Sequence, residues 1–121
     1  MAYSETLEIY KEIHALCKLL LSYSRNVNKL IRYGQYGVAI DKACAALDLV
    51  RRINSDFTDR ERNMRELLLL LSEVRSRITL FAETQYISVK EATNLSYQLG
   101  KAMKTGAGWL KAEKNRKRRE L

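Results

Sequence analysis

The chain has 121 residues, of which 46% are apolar and 30% are charged, and it contains no proline. This length suits one domain, and the composition excludes an intrinsically disordered chain. The formal net charge is +8, and residues 101–121 contribute +6 of it through eight basic and two acidic side chains. A charge excess concentrated in one segment points to a polyanionic partner, with nucleic acid as the leading candidate.

The chain shows no sign of a membrane span, because no apolar run approaches the roughly 20 residues that a span needs. Its two cysteines, Cys17 and Cys44, fall at apolar positions of helical patterns. We therefore expect two buried, reduced thiols, which are typical of an intracellular, cytoplasmic protein without a membrane partner.

The first two helices are indicated by apolar residues at three- and four-residue steps. The stripe of the first helix comprises Ile9, Ile13, Leu16, Leu20 and Tyr23. This spacing predicts an amphipathic helix that faces a core. Segment 26–37 is less regular, and its glycines predict a connection with a turn at RYGQYG. A second helix then runs to about Ile53, with many alanines that allow close packing.

The third helix carries a run of five leucines, Leu67–Leu71. Thr58 and Glu61 have the spacing of a capping box, which predicts a helix from there to about Gln85. The run is apolar on all sides of the helix, whereas a helix in a small bundle has one inner face. Two interpretations stay open. Another subunit covers the outer leucines, or the core stripe is wide and one or two leucines stay on the surface.

The fourth helix starts at a second capping-box pattern, formed by Ser88 and Glu91. Its three- and four-residue rhythm predicts a helix to about Lys114. Four helices with short connections predict an all-α fold, an antiparallel up–down four-helix bundle. We expect residues 1–115 to form this bundle and residues 116–121 to form a mobile, basic C-terminal tip.

Two glycines lie within three residues of the fourth helix, at Gly106 and Gly108. Glycine in a helix interior costs about 1 kcal/mol relative to alanine, so the pair needs a compensating contact. We expect a neighbouring helix to approach closely at both glycines, beside Trp109.

The sequence offers little for catalysis. His14 is the only histidine, and it lies one helical step from Cys17, but the pair lacks an orienting group and a pocket. No CxxC or Glu-x-x-His motif indicates a metal site. The segment GKAMKTGAG lacks the residue order of a phosphate-binding loop. We therefore expect a protein that is not an enzyme and that carries no metal or cofactor.

Basic residues are the candidates for a binding surface. The residues expected to contact nucleic acid or a protein partner are Lys104, Lys111, Lys114, Arg116, Lys117, Arg118 and Arg119, with Arg75 and Arg77 as a second patch. Nothing in the pattern encodes the reading of bases, so the contacts should go mainly to the phosphate backbone. The alternatives are a disordered tail without a specific partner, or a nuclear localisation signal at KNRKRR.

Two arginines at the start of the third helix, Arg60 and Arg62, need a separate explanation. A cation at a helix N-terminus opposes the helix dipole, at a cost of about 0.3–1 kcal/mol when it is exposed. Their position indicates that they have a role other than stabilising the helix end.

Several segments together resemble a known family: RYG in the first connection, AIDKACAALDLVRRI in the second helix, the leucine-rich third helix, and LGKAMKTGAGWLKAEKNRKR at the end. They resemble the small four-helix-bundle family of bacteria and phages. That family includes the accessory variability determinant (Avd) of diversity-generating retroelements and the proteins encoded in ribosomal-RNA intervening sequences. The most specific part is the last helix, where two glycines precede Trp109 and the basic residues.

The resemblance implies a homopentameric barrel of four-helix bundles that binds RNA or DNA and a partner reverse transcriptase through basic surfaces. In that system the accessory protein is not catalytic, and it supports error-prone cDNA synthesis and mutagenic retrohoming into a variable gene. A pentamer would also supply the second cover for the outer leucines. The alternative is a structural, self-assembling protein of the intervening-sequence type, without a specific nucleic-acid role.

Overall fold

The computed structural model describes the backbone of residues 4–55 and 57–120, and their side chains from residue 8 onward. Its helices are α1 (Ser4–Tyr23), α2 (Lys29–Arg32), α3 (Gln35–Ser55), α4 (Arg60–Glu83) and α5 (Val89–Glu120), with a 3-10 turn at Ser24–Asn26. The described residues contain no strand, which confirms the predicted all-α class. None of the described helices has a stretch that is long and apolar enough to cross a membrane.

The four long helices pack side by side, in the cyclic order α1, α3, α4 and α5. Neighbouring helices run antiparallel, as the contacts at the two ends of α3 and α4 show. Arg60, at the start of α4, donates to the carbonyl of Ile53 near the end of α3, whereas Arg77 near the end of α4 bonds Gln35 at the start of α3. The prediction of four packed helices is therefore confirmed for the single chain.

One apolar core lies between these helices, and it includes the stripe predicted for α1. Tyr36 is its largest fully buried side chain. The hydroxyl of Tyr36 donates to the carbonyl oxygen of Leu20 at 2.6 Å, and its ring packs on Phe81 with centroids 5.5 Å apart. Burial raises the pKa of this phenol well above its usual value, so it stays a neutral donor.

The connection between α1 and α3 is more ordered than predicted. The side chain of Asn28 accepts from the backbone N–H of Leu30 at 2.9 Å and so caps the one-turn helix α2. α3 then begins at Gln35, before Gly37, so the predicted turn at RYGQYG is confined to its first half.

The starts of α4 and α5 differ in how well the sequence predicted them. At α5 the capping box is confirmed. The N–H of Ser88 donates to Glu91 at 2.9 Å, and the N–H of Glu91 donates to the hydroxyl of Ser88 at 3.1 Å. α4 begins at Arg60 with Asp59, rather than Thr58, in the N-cap position.

The leucine run is covered largely within the chain itself. Leu67 and Leu71 are fully buried, Leu68 and Leu70 are half-buried, and Leu69 is 53% exposed. The run therefore fits the interpretation of a wide core stripe with one surface leucine. It does not by itself require a second subunit.

α5 continues to Glu120, beyond the end predicted at about Lys114. Arg116 pairs with Glu113 one turn before it and with Glu120 one turn after it, and such pairs stabilise a helix end. The predicted boundary between residues 115 and 116 thus falls within a helix. Residue 121 of the predicted tip lies outside the described residues.

Gly106 and Gly108 of α5 have different surroundings. A methyl group on Gly106 would meet Leu68 at 3.0 Å and Ile9 at 3.3 Å, so the predicted close approach is confirmed there. A methyl group on Gly108 would meet no atom within 4 Å. The predicted approach of a neighbouring helix is wrong for Gly108, because this residue lies on the exposed side of α5.

Candidate nucleic-acid interface

Three of the predicted basic residues form a line on the outer side of α5. Lys104, Lys111 and Arg118 are spaced by seven residues and are all exposed. Seven residues make two helical turns, so the three positions lie about 10.5 Å apart along the axis. None of them forms an ion pair with a described carboxylate. We call these three residues the outer stripe.

Two other predicted cations are engaged with carboxylates. Arg116 binds Glu113 and Glu120, and Lys117 lies 3.6 Å from Glu61. These contacts neutralise part of the charge that the sequence assigned to a nucleic-acid surface. Of the remaining predicted cations on α5, Lys114 is half-buried and Arg119 is exposed.

The second predicted patch is not brought together by the fold. Arg75 and Arg77 lie two residues apart on α4, and residues at this spacing do not share a helix face. Arg77 is half-buried and bonds Gln35 of α3 and the carbonyl of Glu73, whereas Arg75 is exposed. They are therefore two separate positions.

A buried ion pair lies under the C-terminal half of α5. Arg60 and Glu113 are 8% and 5% exposed, and Nε of Arg60 lies 3.2 Å from Oε1 of Glu113. The guanidinium also donates to the carbonyl of Ile53 at 3.1 Å. Its central carbon Cζ lies over two aromatic rings, 4.7 Å from the ring centroid of Phe57 and 5.4 Å from that of Trp109. Such cation–π contacts stabilise a desolvated cation.

Glu113 is held in its charged form by this cluster. The hydrogen bonds from Arg116 lower the pKa of the Glu113 carboxyl most, and the nearby charges of Arg60 and Lys117 lower it further. Burial acts in the opposite direction, but the cations outweigh it. The second role that the sequence hinted at for Arg60 is thus to link α4 with α5 inside the protein.

A groove of about 920 Å³ opens beside this ion pair, between α1, α5 and the α3–α4 connection. Trp109 and Gly108 line its middle, and Phe57, which is 57% exposed, lines one end. We call it the Trp109 groove.

The two long walls of the Trp109 groove carry opposite charges. Glu8 and Glu12 of α1 form one wall, and Lys101 and Lys104 of α5 form the other. Oε1 of Glu12 is shielded from water and has no hydrogen-bond partner among the described residues. Lys104 belongs both to this groove and to the outer stripe, so the two features are continuous.

The groove was not anticipated from the sequence. Its walls come from segments almost a hundred residues apart, and neither wall has a local motif. Gly108 gave no usable signal, because Gly100 on the same helix equally lacks a described atom within 4 Å of an added methyl group and does not line the groove.

The residues considered for catalysis lie elsewhere. His14 is exposed and stacks on Tyr10, with ring centroids 6.0 Å apart. Among the described residues, no group of three or more histidine, cysteine, aspartate or glutamate side chains is placed to hold a metal ion.

The two cysteines are free thiols, and their burial was predicted correctly for only one of them. Cys17 is buried, whereas Cys44 is exposed because it lies one position beyond the buried stripe of α3 that includes Ala43. Burial and the neighbouring Cys44 thiol raise the pKa of Cys17 to about 12. The Cys17 thiol is therefore protonated, and a poor nucleophile, at neutral pH.

No protein-family model matches this chain, and no curated protein matches its sequence. Its function is therefore inferred from its own residues.

Proposed function

We propose that this protein is a non-catalytic accessory protein that binds nucleic acid, with the outer stripe of α5 contacting the phosphate backbone. The observation that carries the proposal is the line of Lys104, Lys111 and Arg118, which are exposed and have no carboxylate partner among the described residues, on a chain of net charge +8. Because these cations lie on a helix, no backbone has to become ordered when they meet phosphates, and the counterions that the phosphates release favour binding.

The fold explains why these cations are available while others are not. On its inner side α5 places Glu113 against Arg60 and Arg116, so acidic and basic groups neutralise each other there. On the outer side, small exposed residues flank the stripe, including Gly100, Ala107 and Gly108. A phosphate backbone can therefore approach the helix closely.

The proposal includes the partners and system that the family resemblance implies. These are a reverse transcriptase, further copies of the chain in a pentamer, and a cytoplasmic role in mutagenic retrohoming of a diversity-generating retroelement. A reverse transcriptase gene and a repeated template beside this gene would support that system. Their absence would leave a nucleic-acid-binding protein of another system.

A second candidate function is a structural protein that only assembles with itself. Leu69 and Leu80 favour it, because they are 53% and 51% exposed and lie on the outer side of α4. This alternative predicts oligomers in light scattering and no affinity for nucleic acid. The two candidates therefore differ in a direct binding measurement.

The test measures the affinity for a 20-nucleotide single strand and a matching duplex at 50 and 200 mM salt. The first variant combines Lys104→Gln, Lys111→Gln and Arg118→Gln. The control combines Lys11→Gln, Lys18→Gln and Lys29→Gln, which remove the same charge from exposed positions of α1 and α2.

We expect the stripe variant to bind at least tenfold more weakly at 50 mM salt. We also expect the slope of log affinity against log salt to fall by about 2 to 3, because each lost phosphate contact contributes about 0.7–0.9. Both variants should keep their stability within about 0.5 kcal/mol. Absent binding at 50 mM salt, or an equal loss in the control, would overturn the proposal.

A further inference from the structure

The line of the outer stripe extends toward the N-terminal end of α5. Lys90 and Tyr97 precede Lys104 at the same seven-residue spacing, and both side chains are exposed. Lys90 forms no ion pair with a described carboxylate. An α-helix drifts by only about 20° over seven residues, so Tyr97 lies almost in line with its neighbours at this spacing. Tyr97 therefore places an aromatic ring between two cations of one helix face.

The ring of Tyr97 is accessible. Tyr97 is 69% exposed, and Nζ of Lys101 lies 5.0 Å from the centroid of its ring. The neighbouring Gln98 donates to the carbonyl of Glu12 at 2.9 Å, which sets Tyr97 level with a described turn of α1. The ring is therefore exposed at a point where the adjacent helix is described. The fold leaves an aromatic surface beside a cation there.

We propose that Tyr97 stacks on an unpaired base of a single strand whose phosphates lie on the outer stripe. This inference rests on the proposed function and names the form of nucleic acid that α5 binds. Two observations support it: the exposure of the ring beside Lys101, and the place of Tyr97 in the line of cations.

The ring and its neighbouring cations match the two parts of a nucleotide. A base that stacks on Tyr97 brings its own phosphate close to the ring, and the ammonium group of Lys101 lies beside the same ring. Lys101 forms no ion pair with a described carboxylate, so its charge is available to that phosphate. Proteins that bind single strands combine aromatic platforms with a basic surface along the backbone in this way.

Stacking on Tyr97 selects the form of the nucleic acid rather than its sequence. Every base has a π-face, so the ring accepts any base, which agrees with the absence of a pattern for reading bases. In a duplex the bases are paired and stacked on each other, so the ring meets only the backbone. The outer stripe holds the phosphates of either form, whereas Tyr97 adds affinity only for a single strand.

The test compares strands that carry the same phosphates and differ in their bases. The extended line from Lys90 to Arg118 is about 42 Å long at 1.5 Å per residue. At about 3.4 Å per nucleotide, a strand of about 12 nucleotides covers it. The probes are therefore a 12-nucleotide DNA strand of thymidines, a strand of the same length with abasic sugars, and a 12-base-pair duplex, each at 50 mM salt.

Three variants test the ring itself. Tyr97→Leu removes the ring, and Tyr97→Phe keeps it. Leucine favours a helix at least as well as tyrosine, so Tyr97→Leu should fold. Tyr33→Leu is the matched control, because Tyr33 is 80% exposed but lies at the end of α2, outside the outer stripe.

We expect the wild-type protein to bind the thymidine strand about fivefold or more tightly than the abasic strand, in line with the contribution of one stacked base. Tyr97→Leu should lose this preference. Its affinity for the abasic strand and the duplex should stay within about twofold of the wild type, because its cations are unchanged. Tyr97→Phe and Tyr33→Leu should keep the preference. The triple stripe variant should bind all three probes more weakly and keep their ratio.

Other results identify which claim fails. Equal affinity of the wild type for the two single strands, or a preference that Tyr97→Leu keeps, would overturn the stacking role of Tyr97 and leave the proposed function standing. An equal loss of preference in Tyr33→Leu would do the same. A change in oligomeric mass with Tyr97→Leu, without a change in affinity, would assign the ring to a contact between copies of the chain instead. No binding to any probe would overturn both proposals.

Discussion

The two sides of the C-terminal half of α5 put the same residue types to different uses. On the inner side, Arg60 and Glu113 are buried together against Trp109, and Gly106 admits Leu68. On the outer side, Lys104, Lys111 and Arg118 have no acidic partner among the described residues, and no described atom lies within 4 Å of where a methyl group on Gly108 would be. Charge and glycine content alone therefore do not separate a stabilising residue from a binding residue. The side of the helix on which a residue lies distinguishes the two roles.

Removal of the buried carboxylate of Glu113 has the largest expected effect on stability. Glu113→Ala leaves Arg60, which is only 8% exposed, without its counter-charge. We expect a loss of about 3 kcal/mol in the free energy of unfolding, because an uncompensated buried charge is costly. Urea unfolding followed by circular dichroism measures it.

The control for this variant is Glu120→Ala, which removes the exposed partner of the same Arg116. Exposed pairs contribute little, so its loss should stay below about 1 kcal/mol. Similar losses in the two variants would show that burial does not make Arg60 costly to leave without its counter-charge.

The glycine pair gives the next largest effect. Gly108→Ala should raise the free energy of unfolding by about 0.5–1 kcal/mol, since alanine favours the helix and meets no atom there. Gly106→Ala gains the same helix propensity, but its methyl group crowds Leu68 and Ile9. We expect it to be less stable than Gly108→Ala by about 1–3 kcal/mol. Thermal unfolding of the two variants side by side gives the difference, and equal stabilities would contradict the inner–outer distinction.

The smallest effect is in the dependence of stability on pH. The pKa of Glu113 is lowered in the folded protein from its ordinary value of 4.5. The unfolded chain therefore takes up protons first, and the stabilisation, fully present above about pH 4.5, is lost as the pH falls through the lower folded pKa.

Unfolding curves for the wild type and Glu113→Gln between pH 7 and pH 3 measure this loss. The wild type should lose stability more steeply below about pH 4.5, and the two curves should be parallel above it. Both proteins keep Glu61, whose pKa is also lowered by Arg65 and Lys117, so its contribution cancels in the comparison. Parallel curves over the whole range would mean that Glu113 is not coupled to folding.

Local patterns in the sequence predicted the features that depend on near neighbours. Ser88 and Glu91 are three residues apart, so their reciprocal cap could be read from spacing alone. The end of α5 was placed too early, because the prediction assigned Arg116 to a mobile basic tip and did not include its pairs within the helix. Its pairing with both Glu113 and Glu120 extends the helix.

The candidate site was predictable only in part. Lys104, Lys111 and Arg118 could be placed on one line by their spacing. The sequence did not separate them from Arg116 and Lys117, which bind carboxylates, and one of those, Glu61, lies on another helix. Charge density identifies a basic segment, but the partners that neutralise a cation are set by packing.

The sequence by itself determined the all-α class, the order of the long helices, the cap of α5 and the concentration of positive charge at one end. Each of these follows from periodicity, from neighbours within four residues, or from counting. Three features depend on the tertiary structure: Arg60 is buried against Glu113 and Trp109, Gly106 is packed while Gly108 is exposed, and Glu12 and Lys101 line the same groove. These features join residues that lie tens of positions apart in the sequence. Their contacts form only when the antiparallel packing of the helices sets which helix faces meet.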